Sequence, residues 1–181
     1  PTLLFYQGNL ELLDYPKLAV VGTRNASKTG IQSIQKLIKE LDNRFVIVSG
    51  LARGIDTAAH IASLKNGGKT IAVIGTGLSH TYPKENRQLQ RYIAKNHLLL
   101  SEYYPDQPAL KYHFPERNRI IAGLAGGVLV AEAKMRSGSL ITCERALEEG
   151  RDIFFFFCSI LDGKSDGCEH LIHEGASSVV S

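Results

Sequence analysis

Phe45-Val46-Ile47-Val48-Ser49-Gly50-Leu51-Ala52-Arg53-Gly54-Ile55-Asp56-Thr57-Ala58-Ala59-His60 passes from an apolar run, through a loop of small residues, into an alanine-rich segment. This succession predicts a strand at 45–48, a tight loop, and a helix from about Ile55 to Lys65 that Asn66-Gly67-Gly68 stops. A strand opening into a helix leaves the helix's first N–H groups without partners, and together with the helix dipole these attract anions. Arg53 adds a permanently charged, planar guanidinium whose fork matches phosphate. An ordinary βα turn carrying a solvated arginine explains the same residues, so the stretch speaks to fold more than to ligand.

Working outward, the same alternation recurs on both sides. Lys17-Leu18-Ala19-Val20-Val21-Gly22 is a continuous apolar run ended by glycine, as expected of a strand covered on both faces. Thr70–Ile74, Leu98–Ser101, Gly127–Ala131 and Ile153–Cys158 read the same way. Between them, Ile31, Ile34, Leu37, Ile38 and Leu41 repeat at helical spacing and predict a helix from about Ser27 to Asp42. Further helices are expected at Glu85 to Lys95, Phe114 to Leu124, and from Ser139 to about Gly150. Leu3-Leu4-Phe5-Tyr6 is a candidate edge strand, and a short helix near 168–174 and Val179-Val180 finish the chain. Strands alternating with helices at this spacing give an α/β fold, with a mostly parallel sheet and helices on both faces. Residues 1–16 are an entry segment of the same domain, and 17–181 form the domain itself.

Composition excludes several classes. The 181 residues are 44% apolar and 22% charged, ordinary for a globular domain that needs no disulfide or metal to hold its core. Cys143, Cys158 and Cys168 are an odd, widely spaced set without a CxxC, which suits a reducing compartment such as the cytoplasm. No signal peptide is expected from the sequence, and no apolar run approaches the roughly 20 residues of a membrane span. The chain starts at Pro1, consistent with flanking domains in a longer protein.

In parallel sheets, ligands gather beyond the carboxyl ends of the strands. The loops at those ends carry Arg24, Lys28, Arg53, Arg117, Arg119, Lys134 and Arg136 against Asp56 and Glu132. Seven basic against two acidic residues leave five net positive charges there, more than the +3 of the whole chain. An anionic ligand is expected at that edge. A dinucleotide fits poorly, because Gly22-Thr23-Arg24-Asn25 lacks the GxGxxG pattern and places an arginine where backbone must approach pyrophosphate. No Walker A motif occurs. Ser137-Gly138-Ser139 at a helix start reads either as a phosphate cradle or as an ordinary N-cap. Tyr82, Tyr103, Tyr104, Tyr112, His113 and Phe114 lie among the basic loops, and positive groups interleaved with aromatic faces suit single-stranded nucleic acid. Core packing accounts for some of these rings equally well. Asp56 with His60, and Glu132 at a strand end, form no readable nucleophile–base set, and the six histidines show no metal-binding spacing.

Taken in order, these motifs resemble the DNA-processing protein A (DprA/Smf) family. The likeness is carried by Ala19–Arg24, Ser49–Asp56 with Ala59-His60, Thr70–Gly77, Tyr82-Pro83, Ser101-Glu102-Tyr103, Phe114–Leu124, Val130–Ala133, Ser137–Thr142 and Leu171–Ala176. It implies an extended Rossmann-like core that binds single-stranded DNA without catalysis or cofactor. In that family the role is to protect incoming DNA in natural transformation and help load the RecA recombinase, as a cytoplasmic homodimer. Carried onto matching positions, the DNA-binding candidates are Gly22, Thr23, Arg24, Ser49, Gly50, Arg53 and Gly54. Arg117, Asn118, Arg119, Lys134, Ser137, Gly138 and Ser139 complete them, with Arg53 first in rank. Phe157-Cys158 and Gly167-Cys168-Glu169-His170 depart from the family pattern, and the helical and winged-helix-like domains that the resemblance implies for many relatives are expected to lie outside this chain. The alternative is a phosphoribohydrolase of the lysine-decarboxylase-like group, whose Pro-Gly-Gly-x-Gly-Thr motif is replaced here by Met135-Arg136-Ser137-Gly138-Ser139-Leu140.

Overall fold

Apolar runs without polar alternation become strands covered on both faces, and six such runs set the architecture of this chain. The computed structural model describes residues 1–132, 138–148, 150–156 and 177–179. In chain order the strands are β1 (Phe5–Gly8), β2 (Lys17–Gly22), β3 (Val46–Ser49), β4 (Thr70–Ile74) and β5 (Leu98–Ser101). They continue with β6 (Gly127–Ala131), β7 (Asp152–Phe156) and β8 (Ser177–Val179). The helices are α1 (Lys28–Glu40), α2 (Ile55–Lys65), α3 (Arg87–Asn96), α4 (His113–Leu124) and α5 (Gly138–Glu148). One-turn helices precede β2 (Leu10–Asp14) and α3 (Lys84–Asn86).

The strands form one sheet in the order β1-β5-β4-β3-β2-β6-β7-β8. Among the described residues only the β1–β5 pairing is antiparallel; Phe5 lies opposite Ser101 and Gly8 opposite Leu98. The chain steps outward from β2 to β5, and α4 then carries it back to β6 on the other side of β2. That reversal makes the carboxyl ends of β2 and β6 a topological switch point, where open α/β sheets open a crevice.

Side-chain alternation divides the core between the two faces. Val20, Ile47 and Leu129 pack against Ile34, Leu37 and Ile38 of α1 and against Ile55, Ala59 and Ala62 of α2. Ala72, Ile74 and Leu99 receive Ile93 of α3. The opposite face, with Ala19, Val48, Val73, Val128 and Phe155, is covered by Ile120 and Ile121 of α4 and by Cys143 and Ala146 of α5.

The elements expected within the described residues are present with small shifts. The strand expected at 45–48 runs 46–49, because Val46 is the residue facing Lys17 of β2 while Phe45 stays partly exposed. The helix expected from Glu85 starts at Arg87, after the separate turn Lys84–Asn86. The expected short helix near 168–174, Lys134, Arg136, Ser137 and both departures from the family pattern lie outside the described residues.

Candidate nucleic-acid interface

The loop between β3 and α2 is held from within by its own helix. The Asp56 carboxylate, in the first turn of α2, accepts hydrogen bonds from the N–H groups of Gly50 (3.1 Å) and Ala52 (3.4 Å). Thr57 Oγ1 donates to the Ala52 carbonyl (2.5 Å). Asn86 Nδ2 donates to the Leu51 carbonyl (2.9 Å) and to Thr57 Oγ1 (2.8 Å). These bonds sustain a left-handed Leu51 (φ 56°), a conformation that costs a non-glycine residue free energy unless its surroundings over-determine it. Gly54 also has positive φ (74°), and a Cβ there would lie 2.2 Å from the Thr23 carbonyl oxygen. No side chain caps α2 at Gly54, while Ile55 N–H donates to that Thr23 carbonyl (3.2 Å). The β2 and β3 loops are therefore locked together, and Arg53 projects from the junction into solvent.

Beneath the loop lies Arg117. Its helix presents His113, Arg117, Ile120 and Ile121 on the buried side, so the guanidinium enters the core at 3% exposure. Nη1 donates to the carbonyls of Gly50 (2.7 Å) and Val73, and Nε to Asn118 Oδ1 (3.2 Å). A Cβ at Gly50 would fall 2.5 Å from Arg117 Nη2 and 2.7 Å from Asp56 Oδ2, so glycine is what lets the two charges meet under the loop. Burial lowers Arg117 to about 10, opposed by the Asp56 charge, so it stays protonated at neutral pH. Burial likewise pushes Asp56 upward, while Arg117 and the two loop N–H groups pull it back. Ser49 is buried too and donates its hydroxyl to the Val20 carbonyl (2.6 Å).

The outward face is smaller and less basic than the residue list suggests. Arg24 and Arg53 line one cleft with Gly50, Ala52, Tyr82, Pro83 and Phe114. The Arg24 guanidinium sits 5.5 Å from the centre of the Phe114 ring, and Tyr82 lies 5.1 Å from the same ring. Phe114 rests on Gly75, and Tyr82 is 46% exposed, leaving an aromatic surface beside two cations. Arg53 is ion-paired with Glu85, and Arg119 donates Nη2 to Glu102. Two acidic residues thus join the basic edge, and the excess of five positive charges expected there is an overcount. Lys28 is exposed at the start of α1, and Asn118 is half-buried next to Arg117. Gly22 and Thr23 end β2 at the crevice, and Gly138 and Ser139 open α5. Tyr82 and Phe114 were visible in the sequence only as aromatics among basic loops; the cleft brings them to Arg24 and Arg53.

The acidic candidates for catalysis are committed elsewhere. Glu132, buried and with φ 52°, accepts from Ser27 N–H (2.8 Å) and from the Ser27 hydroxyl, while its carbonyl accepts from Thr23 N–H (2.9 Å). It joins the β6 end to the N-cap of α1. His60 is fully buried, with Nδ1 2.6 Å from Thr70 Oγ1. Among the described residues no cluster of His, Cys, Asp and Glu could hold a metal, and no helix is long and apolar enough to cross a membrane.

Comparison with known proteins follows the same lines. A family model described as "DNA recombination-mediator protein A" matches residues 1–181. This chain belongs to that family. Among DprA relatives it is 68% identical, over all of its own length and 64% of the other protein, to the DNA processing protein DprA of Streptococcus pneumoniae. It is 48% identical to DprA of Bacillus subtilis, again over its full length and 62% of that protein. The chain thus spans a little under two thirds of these DprA relatives. The X-ray structure of Streptococcus pneumoniae DprA superposes with a TM-score of 0.95 at 68% identity, covering 98% of this chain and 63% of that one. A Helicobacter pylori DprA structure, described in terms of its single-stranded DNA binding mode, gives 0.87 at 33% identity, covering 97% of this chain and 80% of that one. A molybdenum-cofactor-binding protein of Rippkaea orientalis (TM-score 0.64, 16% identity, covering 92% of this chain and 90% of that one) shares the fold alone.

Proposed function

We propose that this DprA-family domain binds single-stranded DNA through its backbone phosphates at the carboxyl edge of the sheet, without catalysis or cofactor. The observation that carries the reading is the convergence of exposed Arg24 and Arg53 with Tyr82 and Phe114 at the start of α2, which no side chain caps. Cations supply the sequence-independent affinity for phosphates, and rings supply stacking that tolerates any base. In this reading Arg24, Arg53, Thr23, Gly22, Gly54, Asn118, Arg119, Lys134, Ser137, Gly138 and Ser139 are the residues that bind the strand. Ser49, Gly50 and Arg117 shape the loop from below, because Arg117 and the Ser49 hydroxyl are already bonded to backbone carbonyls. The description of the Helicobacter pylori relative supports the choice of single-stranded DNA. Protection of incoming DNA in natural transformation, delivery to RecA, assembly as a homodimer and a cytoplasmic location complete the proposal. The phosphoribohydrolase alternative loses ground because Glu132 is spent on the α1 cap.

Arg53→Ala is expected to weaken binding of a fluorescein-labelled oligo-dT about tenfold at low salt, read by anisotropy, with the melting temperature nearly unchanged. An affinity equal to the parent protein's would remove Arg53 from the interface.

A further inference from the structure

The cation ranked first for phosphate is already occupied by a carboxylate. Arg53 Nε donates to Glu85 Oε1, and both side chains are well exposed, at 63% and 51%. Glu85 is carried by a segment tied to the Arg53 loop. It stands in the turn Lys84–Asn86, which Asn86 fastens to the Leu51 carbonyl and Thr57 hydroxyl of the Arg53 loop. Just before it, Tyr82 and Pro83 line the cleft. One segment therefore supplies both a ring for the strand and an acid beside the strand's arginine.

We infer that Glu85 is an internal competitor for phosphate, which holds Arg53 until a DNA strand displaces it. The inference rests on the single-stranded DNA reading above. Two properties suit the pair to exchange. An exposed ion pair contributes little stability, so opening it costs little. A phosphate offers Arg53 charge-assisted bonding that its planar fork can take up bidentately, against the single Nε bond that Glu85 accepts, so the guanidinium swaps partners without losing a bond. Glu85 then sets a threshold. A strand that also engages Arg24 and the aromatic surface overcomes it, whereas a lone phosphate meets a rival anion already seated.

The test is a double-mutant cycle on oligo-dT affinity at fixed salt, using the parent chain, Glu85→Gln, Arg53→Ala and the double variant. Glu85→Gln is expected to bind about three- to tenfold tighter, and the gain should vanish in the Arg53→Ala background. No gain from Glu85→Gln, or weaker binding, overturns the inference. So does an equal gain in both backgrounds, which would make Glu85 a general repulsive charge. Failure of the underlying reading looks different: the parent chain would not bind oligo-dT, or Arg53→Ala would bind as tightly as the parent. Glu85→Ala should reproduce the sign of the Gln variant, and melting curves check that each variant is folded.

Discussion

Arg117→Met is expected to lose about 3–5 kcal/mol of folding stability, the cost of removing one partner from a buried charged network. Methionine fills much of the volume but leaves the carbonyls of Gly50 and Val73 without their donor and Asp56 without its counter-charge. In a chain of this length that corresponds to a melting temperature lower by roughly 10 °C. Adding Asp56→Asn should restore part of the loss, because the amide oxygen still accepts from Gly50 and Ala52 while no buried charge remains. Chemical unfolding of the single and double variants measures both effects. A single-variant loss below about 1 kcal/mol would mean that the guanidinium does not hold the loop as described.

Acid should weaken the fold through His60. The Thr70 hydroxyl donates its one proton to the Ile47 carbonyl (2.7 Å), so His60 Nδ1 must donate to Thr70 and Nε2 is left as an unprotonated, unpartnered acceptor in the core. Protonation would place a charge and an orphan N–H there. Burial, helped by the Arg117 charge, accordingly lowers the imidazole from 6.5 to about 3. Between those values the unfolded chain binds the proton and the folded chain does not, so stability falls as pH drops from 6.5 towards 3. At 1.36 kcal/mol per unit the full span amounts to roughly 5 kcal/mol. The helix that His60 anchors to β4 is the one that carries the Arg53 loop, so the same acidification loosens the candidate interface. A His60→Gln variant should show a flatter profile, its stability converging on the parent's by about 1.4 kcal/mol per unit between pH 6 and 4. Parallel profiles for the two proteins would refute the assignment.

The parallel strands were legible because burial on both faces demands unbroken apolar runs, and Thr70–Ile74, Leu98–Ser101 and Gly127–Ala131 match their expected limits. β3 slipped by one residue because register against β2, which no local pattern reports, decides where it begins. The candidate site was half legible. Arg53 and Arg24 stand where strand-end loops place them, but Arg117 reads as the twin of Arg119 and behaves as its opposite. Helical spacing held the clue: 113, 117, 120 and 121 share one stripe, and three of those four are His or Ile. Glu85 and Glu102 had no such clue. They meet their arginines across 32 and 17 residues of sequence, through tertiary contacts that charge counting along the loops does not see.

Salt titration of binding to oligo-dT and to duplex DNA of the same length tests the central claim most directly. If the carboxyl edge grips a single strand by its phosphates, oligo-dT binds tighter than duplex and log Kd rises linearly with log salt. Arg53→Ala should then reduce the slope by about one. Equal affinity for the two DNAs, or a salt-independent Kd, would contradict it.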